Sequence, residues 1–310
     1  MSADFRLAVT GTGGQVARAL VERGKALGVE VVTVGRPVLD LLRPETVLPA
    51  LAALQPDAIV SAAAYTGVDA AETDRAKALA VNEGGARAVA LAARDLGVPL
   101  VHLSTDYVFA ADARGPHGEA ATATPAGIYG ATKLAGERAV LAAHEADSAV
   151  LRTAWVHSPF GGNFVKTMLR LARDRDEVAV VSDQFGNPTS ALDIADGIIA
   201  VARNLLADPD PRLRGLFHMT AQGDGSWADL ASAVFDQSHE MGGPWAQVRS
   251  ITTADYPTVA RRPADSRLDC ARIAAAHGIT LPPWRSSLRP VVARLVARHH
   301  SLNQLAGASS

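Results

Sequence analysis

The feature that most constrains the fold is a glycine-rich turn near the start of the chain, with the sequence TGTGGQVA at residues 10–17. The apolar segment 5–9 before it predicts a strand, and a helical pattern follows to about residue 27. This order predicts a phosphate-binding site, because N–H groups at a helix start face an anion and missing side chains allow close approach. Gly11 and Gly14 mark the turn, and Ala17 is small enough for the helix to pack on the strand.

The first half of the chain repeats this alternation of strands and helices. Apolar segments predict strands at 29–34, 57–60, 98–103 and 148–152, and helical patterns predict helices ending near 54 and spanning 73–82, 84–96 and 134–143. This spacing predicts an α/β fold with a Rossmann-type doubly wound parallel sheet, connected right-handedly. We therefore expect a dinucleotide-binding domain over residues 1–155.

The second half predicts a smaller, mainly C-terminal α/β substrate domain over residues 156–300, with some later segments returning to the first domain. Helices are expected near 164–173, 191–206 and 226–237, and short strands near 179–181 and 216–219. The proline-rich, charged stretch 207–215 is typical of a surface linker. Residues 301–310 are predicted to form a flexible tail.

The residues after the second predicted strand indicate the cofactor. Arg36 stands where an NAD-preferring site usually has an acidic residue, and an arginine suits the 2′-phosphate of NADPH. The alternative is that Arg36 is a solvated loop charge, so NADH remains an alternative cofactor. Asp40 and Leu41 follow in a loop that can reach an adenine, although Asp40 could equally cap a helix.

Small residues follow the third predicted strand. Ala62, Ala63 and Ala64 stand at its carboxyl end, and Tyr65 comes next. Small side chains at this position let a flat cofactor lie against the backbone, at the edge where open parallel sheets bind ligands. We therefore assign these four residues to the cofactor site.

The stretch from Ser104 to Lys133 carries the predicted chemistry. Tyr129 and Lys133 are four residues apart in a predicted helix, so both side chains can point into one cleft. An ammonium near a phenol stabilises the phenolate, and we expect Lys133 to lower the pKa of Tyr129 towards neutrality. Thr105 ends the preceding strand, and its hydroxyl is positioned to hydrogen-bond the oxygen that receives a proton.

Composition excludes several classes of partner. The 310 residues carry a net charge of −2, which gives no indication of a nucleic acid or a polybasic membrane contact. The single cysteine, Cys270, excludes an internal disulfide. The N-terminus shows no signal-peptide pattern and no apolar run reaches a membrane-spanning length of about 18 residues, so we expect a cytoplasmic protein.

Several motifs in one order resemble the extended short-chain dehydrogenase/reductases, and within them most closely the dTDP-4-dehydrorhamnose reductases. The resemblance covers about residues 5–295. Its motifs are TGTGGQV at 10–16, AAAYTGVD at 62–69, STDYVF at 104–109, YGATK at 129–133, RTAWV at 152–156, NFVKTML at 163–169, DQFGNPT at 183–189 and RRPADSRL at 261–268.

The resemblance implies a role for each matching position. NADPH would deliver a hydride to C4 of a dTDP-linked 4-keto-6-deoxysugar, Tyr129 would protonate the oxygen, and Thr105 would polarise the carbonyl. Lys133 would lower the tyrosine pKa and hold the nicotinamide ribose. The implied dinucleotide residues are Gly14, Gln15, Val16, Asp40, Leu41, Ala63, Ala64, Tyr129 and Lys133. The substrate-side residues are Thr105, Asp106 and Trp155, to which we add Asn163, Gln184 and Arg262, the last as a diphosphate ligand.

Departures from the family pattern bear on the reaction and the assembly. Tyr107 replaces the glutamate of related dehydratases, which argues against elimination of water. Ala19 replaces a glutamate that contributes to a magnesium-bridged dimer in some members, so no metal is assigned, although a homodimer is compatible with the sequence. Asp265 stands where the family often has a tyrosine, with Arg267 close by, so the accepted sugar can differ.

Three alternatives stay open at this point. The same chemistry could act on another deoxysugar for a glycosylated secondary metabolite. The chain could be a regulatory subunit that binds the dinucleotide without turnover, against which the intact Thr105, Tyr129 and Lys133 argue. An epimerase is the third alternative, and Arg36 argues against it.

Overall fold

The computed structural model describes residues 4–307, and side chains through residue 298. Its first half contains these strands and helices: β1 Arg6–Thr10, α1 Gln15–Ala26, β2 Glu30–Val34, α2 Val47–Ala52, β3 Ala58–Ser61, α3 Val68–Ala71, α4 Arg75–Leu79, α5 Ala86–Leu96, β4 Leu100–Thr105, α6 Ile128–His144 and β5 Ser148–Thr153. A π-helix, Ala80–Gly85, joins α4 to α5.

The second half mixes short strands with longer helices. Its elements are β6 Val156–His157, α7 Phe164–Leu171, β7 Glu177–Val181, β8 Phe185–Gly186, β9 Thr189–Ser190, α8 Ala191–Ala207, β10 Gly215–His218, β11 Gly225–Ser226, α9 Trp227–Glu240, β12 Gln247–Ile251, α10 Ala271–His277 and α11 Trp284–Gly307. The flexible tail was predicted over 301–310. The side chains of these residues, and the backbone after 307, lie outside the described part of the structure.

Six parallel strands form the central sheet, in the order β10-β5-β4-β3-β1-β2. The order reverses between β1 and β3, which makes a crevice at their carboxyl ends. The predicted doubly wound parallel sheet is confirmed. Its sixth strand, β10, comes from the second half of the chain, because β10 pairs with β5 from Gly215 opposite Ala149 to His218 opposite Arg152.

The sheet is covered on both faces. Helices α1 and α8 contribute to one apolar core, in which Leu20 and Ile198 are fully buried, and α2, α5 and α6 contribute to another. Ala19 is fully buried in the first core, so this position faces the interior. A third core joins α7, α9 and α11 beyond the sheet. Within residues 4–307, no helix combines the length and the apolar character needed to cross a membrane.

Local sequence explains several boundaries. Ser226 and Asp229 form a capping box at the start of α9, and Asn163 caps α7 by accepting from the N–H of Lys166. The break predicted at residue 83, between the helices expected over 73–82 and 84–96, is absent, because the π-helix carries the chain directly into α5. Gly85 lies there against Leu41, so close that a Cβ atom would be 2.6 Å from the Leu41 Cβ.

Candidate active site

Two adjoining cavities occupy the crevice at the carboxyl ends of the strands. The nucleotide-side cavity, about 480 Å³, lies along the ends of β1, β2 and β3. The sugar-side cavity, about 530 Å³, extends from the glycine turn to α6, α7 and α9. Gly13, Gly14, Ala62 and Ala64 line both cavities, so together they form one continuous cleft.

Most residues assigned to the cofactor line the nucleotide-side cavity. These are Gly11, Gly14, Arg36, Asp40, Leu41, Ala62, Ala63, Ala64 and Tyr65. Lys77, which the sequence analysis missed, lines it as well and lies 3.8 Å from Asp74. Two cations, Arg36 and Lys77, therefore border this cavity, in a place that suits a phosphate group.

Backbone contacts shape the glycine turn. The Thr10 hydroxyl accepts from the N–H groups of Ala62 and Ala63, at 3.1 Å each, which joins the ends of β1 and β3. Gly11 has a φ of +90°, and a Cβ atom there would lie 3.3 Å from the Cβ of Ala63. The first turn of α1 lacks a capping side chain, since Gly14 is its N-cap. Its N–H groups therefore remain suited to an anion.

Gln15 connects the glycine turn to the segment after β5. Its amide nitrogen donates to the carbonyl of Val156 at 3.3 Å, and its oxygen accepts from Ser158 at 2.7 Å and from Asn163 at 3.0 Å. Gln15 and Val16 line the sugar-side cavity, whereas Asn163 does not. The side chain of Asn163 is occupied by the cap of α7 and by Gln15, so its observed contacts are internal.

Asp40 makes local contacts within the loop that follows β2. Its carboxylate accepts from the N–H of Leu42 at 3.0 Å and lies 3.6 Å from Arg43. Leu41 is buried beside this loop. Asp40 therefore lines the cavity while its side chain holds a local turn.

Thr105, Tyr129 and Lys133 all line the sugar-side cavity, and Tyr129 and Lys133 share it as their helical spacing predicted. Thr105 ends β4, and its hydroxyl donates to Asp106 at 3.1 Å. The ring of Tyr129 packs edge-on against Tyr107, with centroids 5.7 Å apart. The Lys133 ammonium donates to the Leu103 carbonyl at 2.7 Å, and its Nζ lies 3.5 Å from His102 Nε2.

The electrostatics of this trio differ from the expectation. Burial raises the pKa of Tyr129 to about 12, against the opposing hydrogen bond with Thr105, and Asp106 adds to the rise. Burial also lowers the pKa of Lys133 to about 8, although the nearby Glu137 carboxylate opposes this shift. The pKa of Tyr129 is therefore raised where we expected Lys133 to lower it, because desolvation of the buried phenol dominates.

A buried ion pair lies beneath the trio. Arg152 on β5 donates to both carboxylate oxygens of Glu137 on α6, at 2.8 and 2.7 Å, and both side chains are 3% exposed. The Ser104 hydroxyl donates to the same carboxylate at 2.5 Å. Because Glu137 is one helical turn from Lys133, this network fixes α6 against the ends of β4 and β5.

Aromatic side chains form the far wall of the sugar-side cavity. The rings of Trp155 and Trp227 stack with centroids 3.6 Å apart and an angle of 3° between their planes, and Phe164 contacts Trp227. Trp155 has a φ of +46°, an unfavourable conformation for a bulky residue. Gly186 lies directly against its indole, where a Cβ atom would approach to 2.4 Å.

Asp106 is also placed in this cavity, with Trp155. It is 1% exposed, and burial raises its pKa to about 6 against hydrogen bonds from Ser266 and Thr105. Ser266 belongs to the RRPADSRL segment, and Arg262 of the same segment contacts Tyr107, so this segment borders the site. Asp106 and Trp155, two of the residues expected at the substrate, therefore line the same cavity as Tyr129.

Arg262 and Gln184 lie outside the linings of both cavities. Arg262 forms an ion pair with Asp69 at 2.7 Å, and a hydrogen bond to Tyr107 brings it next to the sugar-side cavity. Gln184 donates to Thr253 at 3.0 Å. Their observed partners are thus protein groups, and their substrate contacts stay predictions.

Asp265, which stands where the family often has a tyrosine, does not line either cavity of the cleft. Asp265 pairs with Arg267 at 2.7 Å, and neither residue lines the cleft. Arg267 instead lines a separate cavity of about 490 Å³ together with Cys270.

Several cleft residues were given no role in the sequence analysis, although Thr153 and Phe164 lie inside the motifs RTAWV and NFVKTML. They are Lys77, Thr153, His157, Phe164 and Trp227. Thr153 stands opposite Thr105 in the parallel register of β4 and β5, so its position follows once the strand pairing is known. Trp227 arrives from α9, far along the chain, and only the tertiary fold brings it to Trp155.

This fold and cleft define a protein of the short-chain dehydrogenase/reductase class, with a glycine turn and a buried Tyr129–Lys133 pair at the reversal of a parallel sheet. Comparison with known proteins narrows the class. The family model described as RmlD substrate binding domain matches residues 5–297. The chain belongs to this family, as the resemblance predicted.

Individual relatives cover nearly the whole chain. A dTDP-4-dehydrorhamnose reductase from Sinorhizobium fredii is 47% identical, over 93% of this chain and 97% of the relative. A protein from Streptomyces antibioticus named as a probable dTDP-4,6-dihydroxy-2-methyloxan-3-one 4-ketoreductase is 40% identical, over 96% and 97%. The structure of the Bacillus anthracis dTDP-4-dehydrorhamnose reductase in complex with NADP is 32% identical, with a TM-score of 0.85 over 94% and 99%.

Proposed function

We propose that this protein reduces the C4 keto group of a dTDP-linked 4-keto-6-deoxysugar with NADPH, converting dTDP-4-dehydro-L-rhamnose to dTDP-L-rhamnose. One observation carries the proposal: Thr105, Tyr129 and Lys133 line the same cleft as the glycine turn. The curated reductase from Sinorhizobium fredii and the NADP-bound relative from Bacillus anthracis support the substrate and the cofactor.

NADPH, when bound, supplies a hydride to C4 of the sugar. Thr105 would turn its one hydroxyl proton from Asp106 to the C4 oxygen, and Tyr129 would give that oxygen its proton. The high pKa of Tyr129, about 12, does not prevent this transfer. An alkoxide is a much stronger base than a phenolate, so proton transfer from the phenol to the alkoxide is downhill.

Lys133 acts as a positioning group in this scheme. One of its protons is already committed to the Leu103 carbonyl, which leaves two for the ribose of the cofactor and for the phenol. Its pKa of about 8 keeps it mainly protonated at pH 7. Gly14 and the N–H groups of the first turn of α1 would hold the diphosphate, and Arg36 with Lys77 would hold the 2′-phosphate.

The aromatic wall supports a deoxysugar as the substrate. Trp155, Trp227 and Phe164 offer apolar surface, which suits a C6 methyl group better than a hydroxymethyl group. Asp106 supplies a polar group on the same wall. A cytoplasmic location and a homodimer accompany this proposal as predictions.

A second function keeps the chemistry and changes the sugar. The relative from Streptomyces antibioticus, named as a probable ketoreductase of another dTDP-sugar, is 40% identical to this chain. Asp265 and the neighbouring Arg267 form an ion pair outside the cleft, so their departure from the family pattern does not itself select the sugar.

NADPH oxidation separates these functions. Purified protein receives dTDP-4-dehydro-6-deoxyglucose with and without a 3,5-epimerase, and the fall in the near-ultraviolet absorbance of NADPH is followed. Turnover that requires the epimerase supports dTDP-4-dehydro-L-rhamnose as substrate. Turnover without it assigns the protein to another sugar series, and the absence of turnover in both assays contradicts the proposed function.

A further inference from the structure

Three residues that line the sugar-side cavity have a buried polar atom without a hydrogen-bond partner in the described part of the chain: Asp106, Thr153 and His157. Asp106 is partly satisfied, because its other carboxylate oxygen accepts from Thr105. Among the described residues 4–298, no side chain or backbone group hydrogen-bonds to Thr153 Oγ1 or His157 Nε2. Thr153 is 6% exposed and His157 is 1% exposed, and both line the cavity that contains Tyr129 and Lys133. An unpaired buried polar group costs free energy, so two of them in one cavity indicate a ligand that pairs with both.

Their hydrogen-bonding characters are complementary. The Thr153 hydroxyl can donate a proton. His157 Nδ1 lies 3.4 Å from the carbonyl oxygen of Trp155, which only accepts, so the ring proton belongs on Nδ1. Burial lowers the pKa of His157 to about 4, which keeps the ring neutral and leaves a lone pair on Nε2. Together, the two side chains provide one donor and one acceptor.

Their position favours the cofactor over the sugar. Gln15, at the start of α1, holds the segment after β5 through Val156 and Ser158, so His157 lies beside the phosphate-binding turn. Thr153 ends β5 opposite Thr105, next to the tyrosine that faces the reacting oxygen. Both residues line the cavity that joins the glycine turn to Tyr129 and Lys133, where the nicotinamide ring of a cofactor bound at that turn would lie.

We propose that Thr153 and His157 bind the carboxamide of the nicotinamide, an inference that rests on the proposed use of NADPH. Thr153 donates to the carboxamide oxygen, and His157 Nε2 accepts from its amino group. These two hydrogen bonds select one orientation of the ring, because a ring turned over by half a rotation presents its carboxamide elsewhere. They therefore determine which face of the nicotinamide meets the sugar.

Binding of two ligands tests this assignment without any sugar present. NADPH is compared with 2′-phospho-ADP-ribose, which keeps the adenosine and all phosphates but lacks the nicotinamide, by calorimetry. Thr153→Val and His157→Phe should each weaken NADPH binding about tenfold, the equivalent of one neutral hydrogen bond, and leave the fragment within about twofold. Thr153→Ser should restore NADPH binding.

Matched controls separate this role from a general effect on the fold. Ser148→Ala removes another buried hydroxyl of β5 without a partner in the described chain, and His277→Phe replaces a buried histidine outside the cleft. Both controls should bind NADPH like the wild type. Circular dichroism checks that each variant is folded. If His157→Phe does not fold, Thr153→Val still tests the proposal, because valine has the shape of threonine.

The outcomes are distinct. The carboxamide site is overturned if the two variants lose affinity for NADPH and for the fragment equally, or if they keep full affinity for NADPH. It is also overturned if a variant changes KM for the sugar while its NADPH affinity is unaltered. Wild-type protein that binds the fragment as tightly as NADPH also overturns it, while the proposed function survives. Wild-type protein that binds neither ligand contradicts both proposals.

A second readout follows the face of the ring. With NADPH deuterated at one or the other C4 position, the wild type should transfer the label from one position only. His157→Phe should transfer it from both, in detectable proportion. Strict transfer from one face in the double variant, Thr153→Val with His157→Phe, would contradict the orienting role.

Discussion

The two cavities of the cleft are built in different ways. The nucleotide-side cavity is lined mostly by backbone and small side chains from three short segments, 10–17, 35–42 and 62–66, each directly after a strand. The sugar-side cavity adds large side chains from segments far apart in the chain, among them Tyr129, Trp155 and Trp227. Local sequence therefore specifies the cofactor region, whereas tertiary packing assembles the substrate region.

If the regions are separable, removing the proton donor should affect chemistry and spare the cofactor. Tyr129→Phe is expected to reduce kcat by about 10²- to 10⁴-fold, because a positioned acid contributes that much. NADPH affinity should stay within about twofold, measured by calorimetry. Tyr256→Phe, at a 60% exposed tyrosine, is the control and should behave like the wild type. A comparable loss of NADPH affinity in Tyr129→Phe would show that the two regions are not separable.

The buried ion pair of Arg152 and Glu137 lies under the cleft, so its loss should lower the stability of the fold. Glu137→Gln leaves the Arg152 charge uncompensated, and we expect a loss of about 3–5 kcal/mol in the free energy of unfolding, measured in urea. Glu177→Gln removes an exposed partner of Arg249, which lies 2.8 Å away, and should cost less than about 1 kcal/mol. Equal costs would refute the distinction between the buried and the exposed pair.

Lys133 is expected to make stability depend on pH. Its pKa falls from 10.5 to about 8 on folding, so between these values the unfolded chain binds more protons than the folded chain. Stability should therefore rise with pH across this window, by about 3 kcal/mol relative to Lys133→Met. Urea unfolding of both proteins from pH 7.5 to 10.5 measures the difference. Lys77→Met, at an exposed lysine, should track the wild type throughout.

The smallest of these effects should arise at the aromatic wall. Trp227→Leu removes the ring that stacks on Trp155, and we expect KM for the sugar nucleotide to rise about tenfold as Trp155 loses its fixed position. NADPH affinity should stay unchanged if the two regions are separable. Steady-state kinetics and calorimetry provide the two values. Trp245→Leu, at a half-exposed tryptophan, should alter neither.

The sequence predicted the nucleotide side well because each of its parts is a local motif. The turn at Gly11 and Gly14, the charge at Arg36 and the small residues at 62–64 each follow a strand, and a parallel sheet places strand ends at one edge. The spacing of Tyr129 and Lys133 needs only one helix. These features did not depend on knowing how distant segments pack.

The parts that the sequence did not predict depend on burial and on distant partners. The pKa of Tyr129 rises because the pocket excludes water, and no spacing rule gives the degree of burial. Arg262 was expected to meet a diphosphate, and the fold places Asp69 beside it. Strand β12 and helices α10 and α11 were not predicted, because their sequence patterns are weak. Tertiary contacts stabilise two of them, since β12 pairs with β7 and α11 packs on α9.

The parallel indoles of Trp155 and Trp227 give the protein an optical signal of its own. Two chromophores 3.6 Å apart, with planes at 3°, couple their electronic transitions. The near-ultraviolet circular dichroism of the protein should therefore contain a contribution from this pair that neither ring gives alone. Because Trp155 lines the cleft, a ligand that displaces its ring alters this contribution, and occupancy of the site can be followed without a label.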